Sequence, residues 1–231
     1  MKQEIKVDEV KVEEWHLNPS IFVKNFVLIF IAQILLVLST AKNATTINGV
    51  PRWIAVVEFF EIVALLLFVF TLLKLKKINK SFEHASLTIV IYIISTLFEI
   101  VLGYTKEPIF DIILRSLRWS NDILFSLFYI FYFRGCYIAF KENDMPKGER
   151  IAKVASIGTI ALLLSHVLFA ILSKTDLVMI NRFTNRLFLY GDWLLMLVTY
   201  IFHFVTILLI SNVVRRKIKQ EKEGLDNGKE E

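Results

Sequence analysis

Glu61, Glu99, His166 and His203 are the residues of this sequence best suited to chemistry, because each stands well inside a long apolar run. An ionisable group in hydrocarbon costs on the order of 2.5–3.5 kcal/mol to insert, so it must find a partner, water or a ligand. Glu61 follows Trp53 by eight residues, which is about 12 Å along a helix at 1.5 Å per residue. Glu99 and His166 stand at a comparable depth from the ends of their runs. Two carboxylates with two imidazoles among them would attract cations or protons. These four residues are the candidate ion or proton site.

Each has polar companions at helical spacing. Tyr92, Ser95 or Thr96, Glu99 and Gly103 recur at steps of three and four, as do Asp122, Ser126 and Tyr129, with Cys136 further along the same run. Ser156, Thr159 and His166 form a third stripe, and Asp192, Thr199, His203 and Thr206 a fourth. Glu58 and Glu61 share a face, and Asn25, Gln33 and Thr40 supply the first run. Residues three and four apart stack on one side of a helix, so each helix can turn one polar stripe inward and leave the rest to lipid.

Plainer roles suit the remaining charges. Asp122 and Asp192 fall near run ends, where water or Arg118, Arg182 and Arg186 can satisfy them, and Arg52 is within reach of Glu58. Arg134 is expected to snorkel to the interface. Cys136, the single cysteine, suits packing better than nucleophilic attack.

Carboxylate and imidazole are zinc and manganese ligands. No HExxH or pair of histidines one turn apart supports a metal site, however, and the four candidates come from four different runs. The metal question stays open on sequence. There is no GxSxG, no paired-aspartate arrangement, no Walker motif and no dinucleotide fingerprint. No catalytic residue and no cofactor can be named, and the expectation is that the chain is not an enzyme.

The elements that must position these residues are membrane helices. Of the 231 residues, 55% are apolar, and the 21% that are charged concentrate in the ends and joints between apolar blocks. A soluble domain intersperses the two kinds at short periods. About 20 apolar residues cross 30 Å of hydrocarbon, and six runs satisfy this: about 21–41, 53–73, 87–104, 119–140, 154–172 and 187–214. None shows the alternation of a membrane β-strand. All four prolines, Pro19, Pro51, Pro108 and Pro146, lie outside the runs, so nothing forces the broken helices on which many transporters build their sites.

The expected organisation is a cytoplasmic segment at 1–18, a six-helix transmembrane domain at 19–214, and a disordered cytoplasmic tail at 215–231. With the amino terminus inside, Lys and Arg number 18 on the cytoplasmic side against 8 outside. That places both termini in the cytoplasm. The net charge of +5 then belongs to the lipid surface rather than to nucleic acid.

The sequence therefore describes an all-α integral membrane protein of a prokaryotic plasma membrane. The lipid bilayer is its certain partner, and a membrane protein or a second copy are further candidates. Its intramembrane polar groups lead to the expectation of a small cation- or proton-linked permease or channel-like protein. The alternative is a non-transporting scaffold, partner subunit or assembly factor, in which the same stripes serve helix packing.

Overall fold

The computed structural model describes the backbone of residues 19–46, 52–103, 109–172 and 182–227, with most side chains between 23 and 220. Six α-helices make up the described chain: α1 (Pro19–Thr46), α2 (Arg52–Leu75), α3 (Lys80–Gly103), α4 (Ile109–Glu142), α5 (Pro146–Leu172) and α6 (Arg182–Asn227). No strand occurs among the described residues.

Proline sets several of the starts. Pro19 and Pro146 are the first residues of α1 and α5, where a fixed φ suits the helix and the missing N–H removes nothing. Pro51 and Pro108 directly precede α2 and α4 in sequence. Asn79 opens α3 by accepting the Ser81 and Phe82 N–H groups on its Oδ1, at 3.1 and 3.2 Å. This is an N-cap. Its Nδ2 donates to the Gly135 carbonyl of α4 at 3.1 Å, so one side chain both starts α3 and ties it to its neighbour. At the end of α4, Asp144 takes a positive φ of 50° and the Met145 N–H reaches the Phe140 carbonyl at 2.9 Å. That closure ends the helix in a left-handed residue, which Asp tolerates better than most.

Each helix packs against the next in sequence, and α6 returns to α1, closing a ring. Large side chains of α4 fill the middle of that ring. Phe68 of α2 meets Phe128 and Tyr129 at 5.1 and 6.2 Å between ring centroids. Phe125 meets Tyr200 of α6 at 5.6 Å, and Tyr129 lies on His203 at 3.7 Å. From Phe125–Tyr200 to Tyr129–His203 α4 advances by four residues and α6 by three, so they run parallel. By the opposite progression α3 is antiparallel to α4, from Asn79–Gly135 through Tyr92–Phe125 to Asn121–Glu99.

The outer surface is apolar. Leu87, Ile94, Phe98 and Val101 of α3, and Val154, Ile157, Leu164, Leu168 and Ile171 of α5, are all exposed. Contiguous apolar faces of this size are avoided by proteins in water, and lipid is the solvent that accepts them. Four described stretches are long and apolar enough to cross a bilayer: Lys80–Glu99, Ser120–Glu142, Pro146–Phe169 and Leu194–Gln220. A shorter apolar stretch, Val23–Leu35, lies in α1.

Two expectations about boundaries change. The helices run past the apolar blocks, α3 beginning at Lys80 rather than 87, α4 at Ile109 rather than 119 and α5 at Pro146 rather than 154. Hydropathy reports lipid contact, whereas capping residues and prolines set where a helix starts. The disordered tail expected at 215–231 is helical through Asn227. Adding a residue to an existing helix is far easier than nucleating one, and Arg215 to Glu223 consists largely of good helix formers. The segment expected at 1–18, the three joints at 47–51, 104–108 and 173–181, and residues 228–231 lie outside the described residues.

Candidate functional site

The polar stripes read from the sequence turn inward, except at Asp122, which is exposed. Asn25, Gln33, Thr96, Ser126, Tyr129, Thr159, Thr199, His203 and Thr206 are buried, and Glu61, Glu99 and His166 are half-buried. In contrast, every Lys and Arg whose side chain is described is exposed, from Lys24 and Lys74 through Arg134 to Lys219. The exposed Arg134 fits the snorkelling role, and the fully buried Cys136 fits a packing role. The bundle interior thus holds neutral polar groups, Glu61 and Glu99 are half-buried, and Asp122, like the described cations, is exposed. Lys76, Lys77, Lys80, Lys141, Lys147 and Arg150 surround the α2–α3 and α4–α5 turns, which define a basic end.

α5 and α6 are joined by two matched pairs. His166 Nε2 of α5 lies 3.1 Å from Thr199 Oγ1 of α6, and Thr159 Oγ1 of α5 lies 3.2 Å from His203 Nε2 of α6. Each threonine hydroxyl already donates its proton one turn back along its own helix, Thr199 to Leu195 and Thr159 to Ala155, both at 2.8 Å. Each oxygen is therefore left to accept, and each histidine donates from Nε2. In that tautomer the lone pair of His203 sits on Nδ1, which is buried without a hydrogen-bond partner. Two glycines let these helices close. A Cβ at Gly158 would stand 2.5 Å from the Phe202 ring, and one at Gly191 would stand 2.6 Å from Phe169. Small residues at such crossings allow the close approach that hydrogen bonds between membrane helices require.

Glu61, Glu99 and Asp122 gather at the end opposite the basic one, whereas Glu83, Glu142, Asp144 and Glu149 lie among the cations of the basic end. Glu99 accepts a hydrogen bond from the Asn121 amide at 3.0 Å. Glu61 of α2 and Asp122 of α4 are both within electrostatic range of the phenols of Tyr92 on α3 and Tyr200 on α6. Four helices contribute to this acidic and phenolic group. Further toward the basic end, Tyr129, Phe133 and Phe202 surround the His203 ring, and Phe68, Phe125 and Phe128 pack on Tyr129.

Of the four residues nominated from sequence, His166 and His203 are brought to neighbouring rungs of one ladder. Glu61 joins Asp122 and two tyrosines, and Glu99 joins Asn121. Among the described residues no three His, Cys, Asp or Glu side chains come together in a way that would hold a metal ion. The four nominees therefore make no common metal centre. Asp192 and Glu58, and the arginines proposed to pair with them and with Asp122, have side chains outside the described ones.

Sequence reasoning misses Asn121 and Tyr200. Asn121 precedes Asp122 and falls on the face toward α3, and only the crossing of the two helices reveals its bond to Glu99. Tyr200 was overshadowed by its neighbours Thr199 and His203, although a tyrosine between two polar residues of a membrane run was a usable signal.

A ring of helices with a lipid-facing apolar surface and an inward polar seam defines an α-helical membrane protein. No protein-family model, curated protein or solved structure matches the chain.

Proposed function

We propose that this chain is a small carrier of the prokaryotic cell membrane that moves a cation or proton. In this reading it crosses the bilayer six times, with both termini in the cytoplasm. The observation that carries it is a shared acidic and phenolic group: Glu61, Asp122, Tyr92 and Tyr200, from four helices, lie within electrostatic range of one another. Carboxylate and phenol oxygens gathered among membrane helices are groups that a cation or a proton can bind. Glu61 and Glu99 act as its first ligands, and His166 and His203 as polar partners further in. The aromatic layer around Tyr129 fills the middle of the ring, so passage requires those rings to move. That favours a carrier with changing access over an open pore.

The test is flux in proteoliposomes, with protons and with alkali or ammonium cations. Wild-type flux that falls at least tenfold in Glu61→Gln or Glu99→Gln supports the reading. Unchanged transport in both variants removes these carboxylates from the mechanism. A second reading, a non-transporting membrane subunit or assembly factor, is favoured by the dense aromatic packing of α4. It predicts copurification with a fixed partner and no flux when the chain is reconstituted alone.

A further inference from the structure

We infer that Arg134 and Lys80, with His84 one turn deeper, form a headgroup site for an anionic phospholipid on the outer face of α3 and α4. The site concerns the lipid around the bundle and stands whether or not the chain carries a cation.

Arg134 lies within the apolar stretch Ser120–Glu142, eight residues from its end. It is exposed, and among the described residues it has no ion-pair partner. A cation at the edge of hydrocarbon is costly unless water or a headgroup reaches it. Its level in the bundle shows how it is met. The Asn79 amide donates to the Gly135 carbonyl at 3.1 Å, so the sequence neighbours of Lys80 and Arg134 touch. Lys80 is exposed at the start of α3, and Lys76 and Lys77 are exposed in the turn before it. Arg134 is therefore level with the point where the apolar stretch of α3 begins. α4 runs on to Glu142, so the α4–α5 hairpin and its own cations stand roughly 10 Å beyond that level.

One face of α3 has the layout of a phospholipid. Lys80, His84, Leu87, Ile91, Ile94 and Phe98 recur at steps of three and four, and all are exposed. That spacing puts them on one side of the helix, cationic and polar at the end near Arg134 and apolar from there on. The His84 ring lies 5.4 Å from Phe131 of α4, which places it on the edge of α3 that faces α4. Glu83 is the exposed carboxylate of the same turn. It points away from α4, because Tyr92, about two and a half turns further on and so on the opposite side, meets Phe125 of α4.

The chemistry of the face selects its occupant. Arginine offers a planar fork of N–H donors to phosphate oxygens, and lysine a mobile point charge. His84 adds a ring N–H. A phosphate diester seated on these groups can lay an acyl chain along Leu87, Ile91, Ile94 and Phe98. A zwitterionic lipid brings its own amine to the same cations and is matched less well. A soluble phosphate has nothing to place on the apolar part of the stripe.

The experiment is native mass spectrometry of the full chain, delipidated in neutral detergent and titrated with phosphatidylglycerol, with phosphatidylcholine of the same acyl chains, or with glycerol phosphate. Phosphatidylglycerol is expected to bind about tenfold tighter than either of the others. A basic residue beside anionic lipid is worth about fivefold in affinity, so Arg134→Gln/Lys80→Gln should weaken phosphatidylglycerol binding by about tenfold or more. Lys147→Gln/Arg150→Gln removes the same charge from the α4–α5 hairpin and should change it by no more than about twofold. Equal affinity for the two lipids, or equal losses in the two double variants, would overturn the site in favour of a diffuse basic surface. Glycerol phosphate binding as tightly as phosphatidylglycerol would overturn the lipid assignment. Should the first double variant not fold, each single variant is read instead, and wild-type affinity in both is the overturning result.

Discussion

Replacing Thr159 by valine keeps the shape of the side chain and removes one oxygen, which isolates the rung it makes with His203. The His203 ring is fully buried and its Nδ1 has no partner, so after the substitution neither ring nitrogen is bonded to Thr159 or to the tyrosines around it. A buried donor left unsatisfied costs about 1–3 kcal/mol, whereas a hydrogen bond between membrane helices is worth about 0.6 kcal/mol on average and about 1.7 at most. The orphaned N–H dominates, and Thr159→Val is expected to lose about 1–2 kcal/mol. Thr199→Val tests the companion rung. His166 is only half-buried and stands six residues from the end of α5, near enough to the interface for water to replace the lost oxygen. Its expected loss is about 0.5 kcal/mol. The assay is reversible unfolding of purified protein in mixed micelles by titration with denaturing detergent. A double-mutant cycle of Thr159→Val with His203→Phe should give a coupling of about 0.6–1.7 kcal/mol, because phenylalanine keeps the stack on Tyr129. A Thr159→Val variant as stable as wild type, or a coupling near zero, would refute the ladder as a stabilising element.

Two further predictions concern helix crossings. A Cβ at Gly135 would stand 2.9 Å from the ring of Phe82, which is fully buried and has nowhere to go, so Gly135→Ala should cost about 1–3 kcal/mol. Gly158→Ala should cost less, since the half-buried Phe202 ring can swing toward lipid; the same unfolding titration ranks them, and the reverse order would contradict the packing. Asn79→Ala removes both the α3 cap and the tie to Gly135, for a loss of about 1–2 kcal/mol. Asn79→Asp keeps the capping oxygen and loses only the donor, so its stability should fall between wild type and Asn79→Ala.

The inward stripes were legible because lipid enforces them. A polar side chain in an apolar run has few alternatives to facing other helices, so Thr159, Thr199, His203, Gln33 and Asn25 could be given a direction from spacing alone. Their partners could not. Whether Glu99 meets Glu61 or Asn121 depends on how far α3 slides along α4. That register is fixed by Asn79 reaching Gly135 and by Phe82 lying against the same glycine. Both contacts are remote in sequence and carry no periodic signal.

What the sequence determined by itself was the medium and the direction of each face, since the length and charge of an apolar run answer directly to the thickness and polarity of a bilayer. The tertiary structure decided which faces meet: the closed ring, the threading of α4 aromatics through its middle, the His–Thr rungs between α5 and α6, and the continuation of α6 to Asn227. Without a hydrophobic drive to bring helices together in lipid, those choices fall to local fit. A glycine notch, a ring that fills it or a single hydrogen bond becomes visible only when two helices lie side by side.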